Sequence, residues 1–538
     1  MSLSSVKYST VRPQGKTANY TANEKITFDI PDRYAYISGK NSYLYVEMSD
    51  TSTYSDGTKV GMPHCLPPNL GGHCLFSRMQ YQATSNGKDI EDVDGYNTYV
   101  SVMKSWGADF DEYEAMSQVE AVSAHTNRPI HRRAGKACNQ NFLPPPNDDD
   151  DSTEITAAVN SKEVSLCLPI HLGIWSGMGD DNHVLPNGAM GGSQLHLYLA
   201  DNNQVIQDLA SEHYIFDGDR EELTYHNATD VVPAAVANTA TTVTVAAQVL
   251  NGIIGDDLPI SGLVWRVGQV LNVFQNDGTT RIDGGDVIKV VSVQNTGTNT
   301  VITTDHTFTG TVGDAKVCID KAQVRKYNIS KIELRLLETN PADPRQVLSS
   351  FSKGFNFKST VLNKLSVPAG LTNSILNLPA SNTKAMSLWN VPVVADNLNG
   401  INENNSLIYP QMDADANQIY TYQWQIQNNL IPNRGVAIRK EFVSSDNTIH
   451  YNQCQMACRS MFECRSVNDG ADNRAPELAN PLFVPLTLAP MGNSFNLLNQ
   501  EGQLRLTSAL TPKAKLHHLY PNHNRVLRID ANGVDVEL

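Results

Sequence analysis

The 538-residue sequence contains no run of about 18 apolar residues, the length that a bilayer-spanning helix requires, so we expect no transmembrane segment. No segment near the N-terminus joins a basic start to an apolar core, and we therefore expect no secretory signal peptide. Cysteine is also sparse, with eight residues scattered along the chain. This usage is typical of free thiols in a reducing compartment.

Charge is scarce as well, at 18% of residues, and its balance is acidic. The chain carries 41 Lys and Arg against 56 Asp and Glu, a formal net charge of −15, so we expect no specific nucleic-acid binding. Low charge together with 35 Gly and 26 Pro favours many short strands joined by turns. The length predicts two or three domains.

Catalytic signatures are missing too. The sequence has no G-x-S-x-G, H-E-x-x-H, G-x-x-x-x-G-K-[ST] or G-x-G-x-x-G motif, and we predict neither an enzyme nor a cofactor site. Its acidic groups do not follow the EF-hand spacing, so we interpret them as solvated loops rather than calcium sites. These groups are Asp148–Asp151, Asp180-Asp181, Asp217-Asp219-Glu221-Glu222 and Asp256-Asp257.

Cysteine and histidine groups offer three candidate metal sites, and we predict that none binds a metal. Cys454, Cys458 and Cys464 match one stripe of a helix better than the paired spacing of a zinc site. The pairs His64-Cys65 and His73-Cys74 flank a Pro/Gly loop and meet the spacing rule only loosely. The remaining group, His517-His518 with His523, is interpreted as a polar loop.

Strand patterns dominate what is present. In the stretch 163–200, Leu195, Leu197 and Leu199 alternate with polar or aromatic residues, which predicts a half-buried strand. Further strands are predicted at Ser42–Met48, Cys74–Ala83, Lys331–Leu336 and Tyr420–Gln427. Helical spacing occurs around Ala115, Val119 and Val122 and again in residues 450–467.

Composition divides the chain into four segments. Residues 1–21 form a basic arm, which we expect to pack on a neighbouring protein subunit, with a frayed end, a lipid surface or packaged nucleic acid as alternatives. Residues 22–220 form a first β unit and residues 322–538 a second. Residues 230–320, rich in Val, Thr, Gly and Asn, predict a small β-barrel or sandwich inserted between them.

Several segments together resemble the double jelly-roll major capsid proteins of polinton-like viruses and virophages. The matching pieces are LGGHCLFSRMQYQATSNGKDIEDVDGYN, LCLPIHLGIWSGMGDDNHVLPNGAMGGSQLHLYLA, YNISKIELRLLE, SVPAGLTNSILNLPASNTKAMSLWNVP and VLRIDANGVDVEL. They cover most of residues 25–220 and 322–538, and their order and spacing are more specific than any one of them. The insert at 230–320 is the departure from the family pattern.

The resemblance implies an all-β chain of two tandem eight-stranded jelly-roll sandwiches with short helical excursions, plus the small inserted β domain. It also implies a homotrimer that forms pseudo-hexameric capsomers of an icosahedral shell, in contact with neighbouring capsomers, penton and minor or cement proteins. The expected location is the virion, after assembly inside the infected host cell. We expect the insert to stand on the outer face as a tower.

Two other functions fit parts of the sequence. A host-attachment or glycan-binding β protein, such as a spike or fibre subunit, would use the separate insert for binding and would not tile. A glycosidase-like enzyme on a β-sandwich would depend on paired carboxylates that are distant in sequence.

Overall fold

The computed structural model of the chain describes most of the predicted strands. The described residues are 3–54, 64–67, 70–107, 119–121, 142–143, 163–176, 184–208, 212–216, 223–227, 232–246, 270–275, 282, 288–295, 299–309, 312–319, 323–378, 384–394, 419–437, 445–462, 483–488, 494–508, 514–530 and 533–537. Strands far outnumber helices in these residues, and the predicted all-β class is confirmed.

Eight strands form a first sandwich of two four-stranded antiparallel sheets. In spatial order the first sheet contains β1 (Leu3–Val11), β21 (Tyr327–Pro341), β3 (Ile37–Asp50) and β9 (Val164–Pro169). The second sheet contains β2 (Lys25–Ile30), β10 (Ser193–Leu199), β6 (Phe76–Ala83) and β7 (Asp89–Asp94). Alternate side chains of both sheets, including Leu44, Val46, Leu195 and Leu197, meet in one buried core, as the period-2 pattern predicts.

A second sandwich follows in the C-terminal part of the chain. Its first sheet contains β22 (Phe355–Thr360) and β23 (Asn363–Val367), which both pair with β30 (Lys515–Asp530), then β25 (Ala385–Val394) and β28 (Val484–Thr487), with β31 (Gly533–Glu537) also paired to β30. Its second sheet contains β24 (Asn373–Asn377), β29 (Gly502–Ser508), β26 (Ile419–Ile426) and β27 (Asn429–Ala437).

Both sandwiches follow the same path. Counted along the chain, with β22 and β23 as one split strand, each has a sheet of strand order 1-8-3-6 and a sheet of order 2-7-4-5. This is the jelly-roll arrangement, in which strands are exchanged between two facing antiparallel sheets. The predicted pair of tandem eight-stranded jelly rolls is confirmed, and among the described residues each roll has a helix of 12 or more residues between its fifth and sixth strands, α1 (Tyr96–Gly107) or α5 (Ser445–Arg459).

The inserted segment forms a closed six-stranded barrel. In spatial order its strands are β14 (Val232–Val236), β15 (Thr242–Ala246), β18 (Asn299–Thr304), β17 (Ile288–Asn295), β16 (Val270–Phe274) and β19 (Val312–Ile319). Valines, isoleucines and Phe308 fill an interior that is separate from the cores of both sandwiches. Closure leaves no unpaired sheet edge, so this small unit needs no strand from elsewhere.

The prediction that the N-terminal arm packs on a neighbouring subunit is wrong for the strand that begins it. Residues 3–11 form β1, which pairs with β21 along its length, and Val11 belongs to the first core. Farther on, Tyr20 forms a β-bridge with Ile329. The backbone hydrogen bonds of β1 are therefore made within the same chain, and its basic residue, Lys7, has a side chain that is 76% exposed.

The predicted boundary of the first roll also differs from the structure. Residues 331–336, expected to open the second roll, lie in β21, which joins β1 to β3 as the eighth strand of the first roll. Ile332 and Leu334 are buried in the first core. The first roll therefore runs from residue 3 to residue 341, and the barrel lies between its seventh and eighth strands instead of between the two rolls.

The connection between the rolls is helix α4 (Pro344–Lys353). The Asp343 side chain caps it by accepting hydrogen bonds from the backbone N–H groups of Arg345 and Gln346, and Pro344 fixes the first turn. Val347 and Phe351, four residues apart, are buried, and the helix ends before Gly354, whose φ is +107°.

Helix α5 confirms the helical spacing predicted around residues 450–467, and Cys454 and Cys458 are buried on it. The other predicted helix, around Ala115 to Val122, lies mostly outside the described residues, whereas α1 occupies a segment with no predicted helix. Among the described residues no helix combines the length and apolarity needed to cross a membrane. Cys464 and the acidic groups at 148–151, 180–181, 217–222 and 256–257 lie outside the described part of the chain.

The remaining elements are short. They are the strands β4 (Thr53–Tyr54), β5 (His64–Cys65), β8 (Phe142–Leu143), β11 (Gln207–Asp208), β12 (Glu212–Phe216), β13 (Leu223–Asn227) and β20 (Gln323–Val324), the helices α2 (Gly173–Ser176) and α3 (Asn202–Val205), and the 3-10 turns Gly71–Leu75 and Asn187–Met190. Pairing of β4 with β20, and of β5 with both β8 and β11, joins connections of the first roll at one end of the sandwich.

Candidate functional site at the junction of the two rolls

The histidine and cysteine pairs weighed as metal ligands are built into secondary structure. His64 and Cys65 form strand β5, and His73 and Cys74 lie buried in the 3-10 turn Gly71–Leu75. His517, His518 and His523 are residues of the long strand β30, where His517 lies 3.2 Å from the amide oxygen of Asn390. The predicted polar loop at these three histidines is therefore wrong, because they sit within a paired strand.

His73 does join a buried charged cluster that sequence spacing did not indicate. Its Nε2 lies 2.8 Å from Oε2 of Glu120, and candidate ligand atoms of His73, Glu120 and His171 all lie within 4.8 Å of one another. The Lys104 ammonium, from helix α1, lies 2.6 Å from the same Glu120 oxygen. The three partners of Glu120 are 31 to 98 positions apart from one another in sequence, so no local motif could have indicated the cluster.

The electrostatics of this cluster favour an ion pair of Lys104 with Glu120, flanked by the neutral imidazole rings of His73 and His171. Burial alone would raise the pKa of Glu120, but Lys104 and the hydrogen bond from His73 outweigh it and bring the pKa to about 2. Burial lowers the pKa of both His73 and His171, and nearby Lys104 lowers each further. The ammonium already supplies a cation at the carboxylate, and a metal ion there would repel it. That the chain binds no metal stays a prediction.

A larger arrangement of buried residues joins the two rolls. Along β25, Leu388 points into the core of the second roll, whereas Trp389 and Val391 belong to the core cluster of the first. Strand β30 repeats the pattern, with Leu519 in the second core and Tyr520 in the first cluster. The 1-8-3-6 sheet of the second roll is thus buried on both faces.

Aromatic rings from both rolls form the centre of this junction. Tyr99, on α1, stacks on Trp389 with ring centroids 5.4 Å apart and lies 5.6 Å from the ring of Tyr520. Trp106, at the end of α1, meets Phe483 edge-on at 5.5 Å. Such pairs add about 0.5–1.5 kcal/mol each beyond the apolar area that they bury.

A buried carboxylate fixes the register of the junction. Glu91, on β7, accepts hydrogen bonds from the backbone N–H groups of Gly173 and Ile174 at 3.0 and 2.9 Å, and from the hydroxyl of Ser359 on β22 at 2.8 Å. Burial raises the pKa of Glu91. One side chain therefore connects a strand and a helix of the first roll to a strand of the second.

Backbone contacts bring the rolls together where side chains would prevent it. A Cβ on Gly173 would lie 1.6 Å from the carbonyl oxygen of Lys358, on β22. The backbone carbonyl of Gly95, a residue with φ of +62°, accepts a 2.9 Å hydrogen bond from the hydroxyl of Tyr520. At the edge of the junction, the Asn86 side chain donates to the Val534 carbonyl at 2.7 Å. These contacts hold the rolls as one body.

Sequence reasoning missed the junction residues, although weak signals existed. Glu91 lies between Ile90 and Val93, which are both buried, so a carboxylate in that strand is a candidate for burial. The segment Met386–Val394 is apolar except at Ser387 and Asn390, a pattern typical of a strand buried on both faces.

Comparison with known proteins gives a likeness of fold. No family model matches the chain, and no curated protein matches it. Among solved structures, the chain is similar to the Faustovirus major capsid protein, at 10% identity and a TM-score of 0.49 over 98% of this chain and 90% of that one. It is also similar to a chain of the Sputnik virophage, at 10% identity and a TM-score of 0.45 over 100% and 89% of the two chains. A third similar structure is the mavirus major capsid protein, at 11% identity and a TM-score of 0.41 over 99% and 90%.

Proposed function

We propose that the chain is a structural major capsid protein that forms homotrimers, and that these trimers are pseudo-hexameric capsomers of an icosahedral virion shell. One observation carries the proposal: two jelly rolls with the same strand order are fixed side by side in one chain by a buried junction. Three such chains present six similar lobes, which is the number that a hexagonal tile needs. The family resemblance of the sequence supports the same function.

The junction favours an assembly role because backbone, aromatic and hydrogen-bond contacts join the two rolls in one buried cluster. A tile in a shell must hold its two lobes at a fixed angle, and close backbone contact at Gly173 with stacked rings at Tyr99 meets that requirement. Buried contacts between unlike faces of two lobes can repeat around a ring until the ring closes. None of these contacts requires a catalytic group, and we propose that the protein is not an enzyme.

The proposed barrel position is the outer surface of the shell. The barrel connects the seventh and eighth strands of the first roll, and that connection pairs twice with the connection between the third and fourth strands, through β4–β20 and β5–β11. Connections gathered at one end of both sheets leave the barrel beyond that end. We infer that this end faces outward, with the barrel as a tower, and that neighbouring capsomers, penton and minor or cement proteins contact the sides and base. Assembly takes place in the infected host cell.

Imaging of the purified protein tests the proposal. Negative-stain averages are expected to show a pseudo-hexagonal outline with threefold symmetry and three projections from one face. Single two-lobed particles at every concentration that allows imaging would contradict it.

A glycan-binding attachment protein is the second candidate, and the observation that favours it is the barrel's own closed core. The discriminating measurement is a glycan array probed with the full chain. Saccharide binding by a protein that stays monomeric would favour attachment, whereas trimers that bind no glycan favour the capsomer.

A further inference from the structure

The turn between β6 and β7 contacts the second roll through an asparagine side chain. Asn86 and Gly87 lie in this turn, and both are exposed. The Asn86 amide nitrogen donates to the Val534 carbonyl oxygen on β31 at 2.7 Å, and its amide oxygen accepts from the Lys88 N–H at 3.2 Å. The carboxamide of Asn86 is thus a hydrogen-bonded link between a turn of the first roll and a strand of the second.

An asparagine that precedes a glycine can lose ammonia without an enzyme. The backbone nitrogen of the glycine attacks the side-chain carbonyl carbon, a new C–N bond forms, and the amide group leaves as ammonia with the proton of that nitrogen. Water then opens the cyclic succinimide at either carbonyl, which gives aspartate or isoaspartate. Glycine favours the attack because it has no side chain to hinder the approach, and asparagine is a thermolabile residue.

Two Asn-Gly pairs lie in the described part of the chain, and their glycines differ in surroundings. A Cβ on Gly87 would have the Gln82 amide nitrogen, at 3.9 Å, as its nearest contact, and no hydrogen bond of the described residues uses the Gly87 N–H. The Gly188 N–H donates to the Ala35 carbonyl oxygen at 3.0 Å, and a Cβ on Gly188 would lie 3.2 Å from the Ala35 Cα. The attacking nitrogen is therefore free at Gly87 and engaged at Gly188. The other Asn-Gly pairs begin at residues outside the described part of the chain, Asn251, Asn399 and Asn532.

The two asparagine side chains differ in the same direction. The Asn187 carboxamide is fully buried, where it donates to backbone carbonyl oxygens at 3.0 Å and accepts from the Ser193 hydroxyl at 2.6 Å. Asn86 is exposed, and rotation of its carboxamide toward the following nitrogen costs its contacts with Val534 and Lys88. The same rotation at Asn187 would leave several buried polar groups without partners.

We propose that Asn86 is a site of spontaneous deamidation and that its conversion weakens the contact between the two rolls. In the aspartate product a carboxylate oxygen takes the place of the NH2 group, so that an acceptor faces the Val534 carbonyl oxygen where a donor stood. Isoaspartate also lengthens the backbone of the turn by one carbon. Because the released ammonia is lost to solvent, modified chains accumulate as the protein ages.

Mass spectrometry of the aged full-length chain tests the assignment. Trypsin releases Asn86 in the peptide Met79–Lys88, which contains no other asparagine. After incubation of the folded chain at mildly alkaline pH in water enriched in oxygen-18, Asn86 is expected to convert at least tenfold faster than Asn187, the matched control that also precedes a glycine. In urea-unfolded chain the two rates should agree within threefold.

Two results would overturn the assignment. Equal rates in the folded chain, or faster conversion of Asn187, would show that Asn86 is not the favoured site. A tenfold difference that persists in urea would show that local sequence selects Asn86, and the argument from the fold would be wrong.

The substitution Asn86→Asp isolates the effect on the contact between the rolls. Hydrogen–deuterium exchange of residues 533–537 is expected to become at least threefold faster, because the donor to Val534 is lost. Asn377→Asp is the matched control, since it makes the same change at an exposed residue of β24 and should leave exchange of residues 533–537 unchanged. Unchanged exchange in Asn86→Asp would overturn the proposed weakening, whatever the rate of deamidation. Neither measurement depends on assembly into capsomers.

Discussion

Replacing Gly173 with alanine should loosen the junction between the two rolls. The added Cβ would lie 1.6 Å from the Lys358 carbonyl oxygen and 2.8 Å from its carbonyl carbon, and both are backbone atoms that cannot rotate away. Relief requires the two backbones to separate by about 1.8 Å, from 1.6 Å to the 3.4 Å at which ordinary contact begins. A shift of that size also removes Glu91 from hydrogen-bond distance of either Gly173 or Ser359.

The expected cost follows from those two effects. Overpacking of a well-filled interior costs about 1–3 kcal/mol, and leaving a buried polar group without its hydrogen-bond partner costs about 1–3 kcal/mol. Since the two losses share one site and are not additive, we expect local destabilisation of roughly 3 kcal/mol. Each 1.4 kcal/mol is tenfold in an equilibrium constant, so local opening should become roughly 150 times more frequent.

Hydrogen–deuterium exchange with mass spectrometry measures that opening directly. Peptides covering Gly173–Ser176 and Phe355–Thr360 should exchange roughly 150 times faster in Gly173→Ala, whereas barrel peptides should not change. The control is Gly435→Ala, whose added methyl would lie 3.8 Å from its nearest neighbour, the Tyr422 carbonyl oxygen. Unchanged exchange at both junction peptides in Gly173→Ala would refute the reasoning.

Three further predictions concern charge, pH and the barrel. Lys104→Met leaves the Glu120 carboxylate buried without its cation and should lower the free energy of unfolding by about 3–5 kcal/mol. Urea titration measures this loss, and an unchanged urea midpoint of unfolding would contradict the prediction. Burial lowers the pKa of His518 and His523 to about 4, so stability is complete above pH 6.5 and declines by up to about 1.4 kcal/mol per pH unit per histidine as the pH falls toward 4. Thermal unfolding at pH 7 and pH 5 should show a lower midpoint at pH 5, and equal midpoints would contradict it. Ile302→Ala should destabilise the barrel by about 2–5 kcal/mol because it leaves a cavity in the barrel core. Hydrogen–deuterium exchange should become faster in barrel peptides alone, and the mass of the trimer should not change. Faster exchange in peptides of either roll would show that the barrel is not independent.

Local pattern was enough to predict the strands. Alternation at Leu195, Leu197 and Leu199 reports one buried face of one strand, and the structure buries all three side chains. Composition likewise marked the barrel, because its turn-rich sequence differs from its surroundings. Both features depend on residues that are close together in the chain.

Pairing partners were not predictable in the same way. Strand β21 pairs with β1, more than 300 positions away, and nothing in its alternation says whether it closes the roll before it or opens the roll after it. Composition therefore predicts a boundary between the rolls at the insert, although the fold of the first roll continues on both sides of it. The same limit hid the cluster of Lys104, Glu120 and His73, whose members lie on separate segments of the chain.

The mass of the purified full-length chain in solution tests the central claim most directly. Light scattering after size exclusion, repeated across a hundredfold dilution, is expected to give a stable species of three 59.0 kDa chains, about 177 kDa. A 59.0 kDa monomer throughout that range would contradict a capsomer-forming protein and direct attention to the barrel as a binding module.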